Sequence, residues 1–304
     1  MLRLQGRFIP PKRRLPLLIS KILQASIIKN FIPKRKFDSR KGENGKVLVV
    51  GGSYLYHGAP ILSSIAALRC GTDLVYTCVP KINAQATRAI SPNLIVLPLV
   101  DAKLTRGAVH KLLGALPKEL DSATIGMGLA IQDVEALKSL TNSLLERNVR
   151  LSLDASALVP DILSIIRSKN VVVTPHAGEF KRLFGELPPD SKKERVTLVE
   201  KHAKENSVTI LLKGPTDIVS NGNKTFLNVK KTPAMTVGGT GDVLSGLVAG
   251  MLSKNRNPTE AAVVAVFING KAGTLAQRKY GLHMMATDLL EFIPAVMKPF
   301  DRVQ

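Results

Sequence analysis

The sequence has 304 residues, of which 45% are hydrophobic and 4% aromatic, and it contains no Trp. This length and apolar content suffice for a large core, whereas no apolar run reaches the ~18 residues that a membrane span needs. The formal net charge of +20 favours polyanionic ligands, among them nucleotides, nucleic acid and acidic lipid. Because aromatic residues are scarce, Val, Ile, Leu and Ala must fill the interior, which is typical of parallel sheets covered by helices.

The two cysteines, Cys70 and Cys78, lie inside apolar segments. Buried free thiols are typical of a reducing compartment. The N-terminal region also lacks the small-residue cleavage site of a secretory signal. We therefore expect a cytoplasmic protein without a membrane contact.

The first 45 residues are strongly basic, with twelve Lys and Arg against only Asp38 and Glu43. We assign residues 1–41 to a basic N-terminal extension, and within it the pattern of residues 17–28 predicts a short amphipathic helix that packs on the body or on a partner. Nucleic-acid binding by this segment is disfavoured, because too few aromatic side chains stand among the basic ones to stack on bases. A nucleotide-sensing or nucleic-acid-binding protein without catalysis is the alternative from another class.

From Lys46 onwards, short apolar strands alternate with helices. Residues 47–50 predict a buried strand that ends in Gly51-Gly52-Ser53, with a helix over 59–70 after it. The same unit recurs, with strands predicted over 74–79, 94–97, 123–125, 151–154 and 171–174, and helices over 81–90, 104–115 and 131–147. Such alternation predicts a parallel sheet with helices on both faces, in which ligands bind beyond the carboxyl ends of the strands.

The pattern changes after Glu205. A strand is predicted over 208–213, and a hairpin joins 217–220 to 225–229 through Asn221-Gly222-Asn223. Only helices follow, over 242–253, 259–279 and 286–296. We expect one α/β domain over 42–300, with three α/β/α layers around a mostly parallel sheet.

A glycine-rich stretch, Thr236 to Gly246 (TVGGTGDVLSG), opens into an apolar run at helical spacing. Glycines allow backbone N–H groups to approach a ligand closely, and a helix N-terminus favours an anion such as phosphate. Asp242 in this position either caps the helix or takes a proton from a hydroxyl that attacks the phosphate. The residues alone leave both alternatives open.

Further polar residues follow the predicted strands. Asp154 ends an apolar strand, where a charge needs a partner, a metal or water. His176 and Glu179 lie at the start of a predicted helix. His176 either contacts a ligand or caps the turn. Glu179 either organises a metal through water or is an ordinary acid of the first helical turn. The segment Lys213-Gly214-Pro215-Thr216-Asp217 is either a loop around a nucleotide or an ordinary turn. The sequence has no cysteine–histidine set with zinc spacing, no Walker-type phosphate loop and no nucleophile elbow, which removes common alternatives.

Taken in order, these segments resemble the ADP- or ATP-dependent NAD(P)H-hydrate dehydratases of the ribokinase-like superfamily. The strings T-P-x-M…G-G-T-G-D-V-L and T-P-H-x-G-E-F are specific to that family, and the resemblance spans about 40–296. The matching segments are residues 46–53 (KVLVVGGS), 56–60 (YHGAP), 153–155 (LDA) with Ala157-Leu158, 174–180 (TPHAGEF), 212–214 (LKG), 232–235 (TPAM), 238–244 (GGTGDVL) and 286–289 (ATDL).

The resemblance implies a ribokinase-like fold and repair of NADHX and NADPHX, the reduced nicotinamide cofactors damaged by addition of water. The S-epimer's hydroxyl would be phosphorylated by ADP or ATP, and phosphate would then leave. Asp242 would be the catalytic base and would also contact the substrate. The other implied contacts are Ala59, Gly128 and His176 with the hydrate, Gly239, Thr240 and Gly241 with the transferred phosphoryl group, Lys213, Gly214, Pro215, Thr216, Asp217 and Gly241 with the nucleotide, and Glu179 with Mg²⁺, directly or through water.

The resemblance also implies a homo-oligomer, with a tetramer favoured, and a separate NAD(P)HX epimerase, since this chain has no room for an epimerase domain. The alternative within the superfamily is a small-molecule kinase that acts on a vitamin precursor or a sugar and stops after phosphoryl transfer. The chain departs from the family pattern at three positions, with Ala130 in place of a glycine, Ser156 in place of an acid and Asn269 in place of a histidine.

Overall fold

The computed structural model describes residues 20–167, 170–229 and 232–304. In these ranges ten strands form a single sheet. The strands are β1 Lys21–Ile22, β2 Lys46–Val50, β3 Leu74–Pro80, β4 Ile95–Leu99, β5 Ser122–Ile125, β6 Arg150–Leu153, β7 Val171–Val173, β8 Thr209–Leu212, β9 Thr216–Ser220 and β10 Thr225–Val229. The α-helices of the same ranges are α1 Ala25–Phe31, α2 Gly58–Arg69, α3 Lys81–Ile90, α4 Arg106–Ala115, α5 Val134–Glu146, α6 Leu163–Ile166, α7 Ala177–Phe184, α8 Lys192–Asn206, α9 Thr240–Lys254, α10 Pro258–Tyr280 and α11 Ala286–Met297.

The strand order across the sheet is β1-β10-β9-β8-β7-β6-β5-β2-β3-β4. The seven strands from β8 to β4 in this order are parallel neighbours, and β1 is parallel to β10. β9 is antiparallel to both β8 and β10. The predicted mostly parallel sheet and the predicted hairpin at Asn221-Gly222-Asn223 are thus confirmed.

Both faces of the sheet are buried. In β2, Leu48 and Val50 contribute to the core beneath α4–α8, whereas Val47 and Val49 face the opposite layer. That layer contains α1, α2 and α9–α11. Because side chains alternate along a strand, the continuous apolar run of β2 serves both layers, and the predicted α/β/α architecture is confirmed. No helix in the described ranges has the length and apolar character that crossing a membrane requires.

Several boundaries differ from the sequence-based ones for local reasons. α5 begins at Val134 rather than at residue 131, because the Asp133 side chain accepts a hydrogen bond from Glu135 N (2.9 Å) and caps the helix there. β4 continues through Pro98 to Leu99, beyond the predicted end at residue 97. It is an edge strand, where the missing N–H of a proline is tolerated.

The helix predicted over residues 17–28 is confirmed over residues 25–28, the first turn of α1, and is wrong over residues 20–24. Lys21–Ile22 is a strand that pairs with Phe226 and Leu227 of β10, and α1 starts only at Ala25. Residues 17–19 lie outside the described ranges. The open edge of β10 offers unpaired N–H and C=O groups, and pairing with them outweighs a weak helical pattern. The boundary between residues 41 and 42 stays a prediction.

The helices α2 and α9 pack closely enough to require glycine. A Cβ atom on Gly246 would lie 2.0 Å from the backbone oxygen of Ser63, and one on Gly250 would lie 2.3 Å from Cys70 Sγ. The Ser63 hydroxyl also donates to the backbone oxygen of Asp242 (2.7 Å). The contact between these helices therefore fixes the first turn of α9, where the candidate base lies.

We expect Gly246→Ala to lower the free energy of unfolding by about 2–4 kcal/mol, because the added methyl group must push α2 away from α9. The matched control is Gly114→Ala in α4, where a Cβ would meet no atom within 4 Å. The control should be neutral or slightly stabilising, since Ala is the better helix former. Urea unfolding curves measure both, and equal effects of the two variants would contradict the close packing.

Candidate active site

The predicted polar segments lie together beyond the carboxyl ends of the parallel strands. Gly51 follows β2, Gly126 follows β5, and Asp154 follows β6. Gly126 has a φ of +122°, and a Cβ there would lie 2.0 Å from the backbone oxygen of Asp154. Only glycine fits this crossing, so the turns after β5 and β6 lie in direct contact.

The glycine-rich stretch forms the N-terminus of α9. Gly239 has a φ of +95°, and α9 begins with the next residue, Thr240. The Thr240 hydroxyl donates to the backbone oxygens of Met235 (3.0 Å) and Val237 (3.2 Å) and so holds the turn closed. The first N–H groups of a helix lack acceptors within the helix, and here they provide donors for an anion.

Asp242 lies in the first turn of α9 and is partly buried. Burial raises the pKa of its carboxyl to about 7, and the negative charges of Asp154 and Glu179 act in the same direction. The ammonium group of Lys213 opposes them and lowers this pKa. A carboxylate that exchanges its proton near neutral pH is suited to general-base catalysis.

Lys213, directly after β8, forms ion pairs with Asp154 and Glu179 at the carboxyl ends of the strands. Its Nζ lies 2.8 Å from Asp154 Oδ1 and 3.5 Å from Glu179 Oε2. Burial lowers the pKa of Lys213, but the two carboxylates more than compensate, and the pKa is raised overall. A Cβ on Gly241 would lie 3.7 Å from the same Nζ, so the ammonium group is adjacent to the glycine turn.

His176 and Glu179 form the cap of α7. His176 Nδ1 accepts from the backbone N–H groups of Gly178 (3.0 Å) and Glu179 (3.2 Å), and Glu179 Oε2 accepts from His176 N (2.8 Å). Both residues therefore have the capping role that was one of the two alternatives for them in the sequence analysis. Glu179 combines it with the contact to Lys213, which places its carboxylate in the site.

The segment from Lys213 to Asp217 is a tight connection between β8 and β9. Asp217 is fully buried, and its carboxylate accepts from Gly214 N (3.1 Å) and Asn228 Nδ2 (3.1 Å). Pro215 is exposed and Thr216 is partly exposed. The Asp217 side chain therefore stabilises the turn, and Pro215 is its most exposed residue.

A cavity of about 640 Å³ opens beside Asp242. Its wall includes three of the four residues expected to contact the hydrate, namely Ala59, Gly128 and Asp242. The fourth, His176, is not among the lining residues. Gly128 has a φ of +64°, and a Cβ there would lie 2.7 Å from that of Tyr56, so the loop after β2 packs directly on the turn after β5.

Two of the departures from the family pattern also line this cavity. The Ser156 hydroxyl donates to the backbone oxygens of Gly126 (2.7 Å) and Leu129 (2.8 Å) and fixes the turn between them. An ionised acid at this position has no proton to donate to these oxygens. Ala130 lines the cavity next to this turn. Asn269 is buried in α10, away from the cavity wall.

The acidic residues suit a magnesium ion that arrives with nucleotide phosphates. Among the described residues, no group of three or more His, Cys, Asp and Glu side chains is placed to hold a metal. Mg²⁺ is commonly held by one or two carboxylates together with substrate phosphates and water. Glu179 and Asp154 supply such oxygens beside the glycine turn, so the donor set fits an ion of this kind.

The three α/β/α layers around a mostly parallel sheet form a ribokinase-like fold. Residues 47–295 match the model of the NAD(P)H-hydrate dehydratase family. The chain belongs to this family of enzymes.

Individual relatives agree with this assignment. The ADP-dependent (S)-NAD(P)H-hydrate dehydratase of Nitrosopumilus maritimus is 70% identical over 283 residues, covering 93% of this chain and 99% of the relative. The protein of the same description from Cenarchaeum symbiosum is 64% identical, covering 91% and 96%. The ADP/ATP-dependent NAD(P)H-hydrate dehydratase of Bacillus subtilis, co-crystallised with ATP and Mg²⁺, superimposes with a TM-score of 0.80 at 25% identity, covering 94% of this chain and all of the other.

The sequence reasoning assigned no role in the site to Asp154, although its position at the end of an apolar strand marked it as a charge in need of a partner. The structure provides that partner in Lys213. The sequence reasoning also assigned no role to Tyr54 and Leu55, which line the cavity and are 72% and 75% exposed. The available signal in the sequence was the position of these two apolar residues directly after Gly51-Gly52-Ser53.

We expect Asp242→Asn to stabilise the fold at alkaline pH. The raised pKa means that the folded state resists ionisation between the ordinary value of 3.8 and about 7, so the native protein loses stability as the pH rises through this interval. The amide avoids this loss, and the variant should exceed the native protein by roughly 2–4 kcal/mol above pH 7 and match it near pH 4.

Urea unfolding at several pH values measures this difference. The exposed Asp38→Asn is the matched control and should show no such pH-dependent gain. A gain for Asp242→Asn that is constant across the whole pH range would contradict the raised pKa.

Proposed function

We propose that this protein dehydrates the S-epimer of NADHX and NADPHX to NADH and NADPH, with ADP as the phosphoryl donor. The observation that carries the proposal is Asp242, which lines the cavity and lies in the first turn of α9 in a chain of this family. The names of the relatives that are 70% and 64% identical support the same reaction and the use of ADP. They also favour the dehydratase over the small-molecule kinase.

In the first step, Asp242 accepts the proton of the added hydroxyl group as its oxygen attacks the terminal phosphorus of the nucleotide. A P–O bond to the substrate forms, and the bond between the two phosphates of ADP breaks, which leaves AMP. The pKa of about 7 lets Asp242 be ionised at neutral pH and still bind a proton readily.

The donors at the head of α9 stabilise the charge of the transferred phosphoryl group. We assign this role to the backbone amides of Gly239, Thr240 and Gly241, because they lie at the positive end of the helix. The Lys213 ammonium group, next to Gly241, adds a full positive charge. The ion pair with Asp154 holds Lys213 in place and leaves the backbone N–H groups of the glycine turn available for a ligand.

In the second step, phosphate leaves with the electrons of its bond to the ring carbon. The neighbouring ring carbon then loses a proton, and the double bond of the reduced nicotinamide is restored. The cavity beside Asp242, with its largely apolar wall around Ala59 and Leu129, suits a nicotinamide ring. His176, exposed at the cap of α7, is assigned to a more distant part of the dinucleotide.

The nucleotide would occupy the other side of the glycine turn. The segment of Lys213, Gly214, Pro215, Thr216 and Asp217 follows β8 beside this turn, and we assign adenine-nucleotide contacts to this segment and to Gly241. Mg²⁺, held by Glu179 directly or through water, would neutralise phosphate charge. Its participation is supported by the oxygen donors of Glu179 and Asp154 beside the turn.

The test uses purified (S)-NADHX with Mg²⁺ and either ADP or ATP. Formation of NADH is followed by the near-ultraviolet absorbance of its reduced ring, and AMP and phosphate are quantified. We expect a nucleotide-dependent rise, faster with ADP, that Asp242→Asn lowers ~10²-fold or more.

Asp38→Asn, which removes an exposed acid outside the cavity, should retain the native rate. A stable phosphoester without recovered NADH would favour the kinase. A variant Asp242→Asn with the native rate would remove Asp242 from its assigned role.

We also propose that the protein assembles as a symmetric homo-oligomer, with a tetramer favoured, and that a separate NAD(P)HX epimerase supplies the S form. Large apolar side chains such as Leu282 (68% exposed) and Met285 (61% exposed) support further burial in an assembly. Light scattering coupled to size-exclusion chromatography measures the mass. A mass of a single 32.8 kDa chain at micromolar concentration would contradict the assembly.

A further inference from the structure

A second cavity, of about 820 Å³, lies at the amino ends of the parallel strands, opposite the candidate active site. Its wall includes Asp121, which precedes β5, Arg150, which begins β6, and Lys254, which ends α9. The fifteen residues of α9 separate its wall from the glycine turn by about 22 Å. It is therefore distinct from the candidate active site.

The charges around this cavity are predominantly positive. Six basic residues and three acidic ones line it. The basic residues are Lys34, Arg35, Arg150, Lys254, Arg256 and Arg302, and the acidic ones are Glu43, Asp121 and Asp301.

Two of the basic residues are paired with acids and four are not. Arg35 lies 2.9 Å from Asp73, and Arg150 lies 3.7 Å from Asp121. Lys34, Lys254, Arg256 and Arg302 form no ion pair with any described residue. Residues 1–19, 168–169 and 230–231 contain no Asp or Glu, so the chain outside the described ranges has no acidic side chain to pair with them.

Two of these unpaired cations extend from the interior of the protein. The Lys254 ammonium group donates to the backbone oxygen of Cys70. Burial lowers the pKa of Lys254, and the charges of Cys70, Asp73 and Asp301, which raise it, do not compensate. Arg302 donates through Nη2 to Ile32 O, while its buried Nε has no hydrogen-bond partner among the described residues. A buried N–H group without a partner is costly and favours an acceptor from a ligand.

We propose that this cavity is a second binding site, for a small organic phosphate. Arginine and lysine are the side chains that bind phosphate oxygens most readily, and a phosphate would supply the negative charge that Lys254, Arg256 and Arg302 lack. The volume exceeds the need of an inorganic ion and falls in the range of small-molecule sites. Met251, Met297 and Phe300 provide an apolar wall for the organic part.

The test is calorimetric titration of the full chain with ADP, and separately with inorganic pyrophosphate, at low salt. We expect ADP to show two binding events, one at each end of the sheet. The double variant Lys34→Gln/Arg256→Gln removes two exposed cations from the cavity and should weaken one event about tenfold or more. The control Arg88→Gln/Lys111→Gln removes two exposed cations that line neither cavity and should retain both events.

A single event that the cavity variant leaves unchanged would overturn the second site, as would two events that are both insensitive to it. A single event that the cavity variant weakens would support the second site and contradict nucleotide binding at the glycine turn, so the two proposals fail separately. Pyrophosphate binding at the cavity without ADP binding there would overturn the organic part of the proposal.

Discussion

The ion group of Lys213, Asp154 and Glu179 is the constraint on which the candidate site depends. Its members follow three different strands, and the 2.8 Å contact between Lys213 and Asp154 is largely buried. Buried charges are tolerated only when they are paired, so this contact fixes how β6 and β8 present their carboxyl ends. Burial raises the pKa of Asp242, and the same charges modify this pKa, because Asp154 and Glu179 raise it further and Lys213 lowers it. One group of side chains therefore both positions the strand ends and modifies the pKa of the candidate base.

The support of Asp242 extends beyond these charges to the packing of helices. Gly246 and Gly250 bring α9 against α2, and Ser63 of α2 bonds to the backbone of Asp242. The carboxylate is thus held by a helix rather than by a loop, as the proposed proton transfer requires. The glycine turn supplies backbone N–H donors, and the packing of α9 against α2 fixes where these donors lie.

Much of this organisation could be predicted from the sequence, because it rests on short-range patterns. The alternation of apolar strands with helices defined the parallel sheet, and the glycines before Asp242 marked the start of α9. Contacts between distant segments could not be read in this way. The pairing of Lys213 with Asp154 joins residues 59 positions apart, and no local pattern distinguishes it from a pairing with Glu179 alone. The strand at Lys21–Ile22 was missed for the same reason, because its pairing partner lies about 200 residues further along the chain.

That strand has a consequence for how the molecule behaves beside its own copies. β10 is otherwise the last strand on its side of the sheet, and β1 covers part of its exposed edge. Behind β1, Ile28 is completely buried and Phe31 meets Phe226 edge to face, with ring centroids 6.0 Å apart. A protein shortened to begin at residue 42 would expose this edge together with an apolar patch, which is a template for strand addition by another chain. Residues 21–31 therefore cover this edge and this patch in the folded chain, although they lie outside the segment that matches the family.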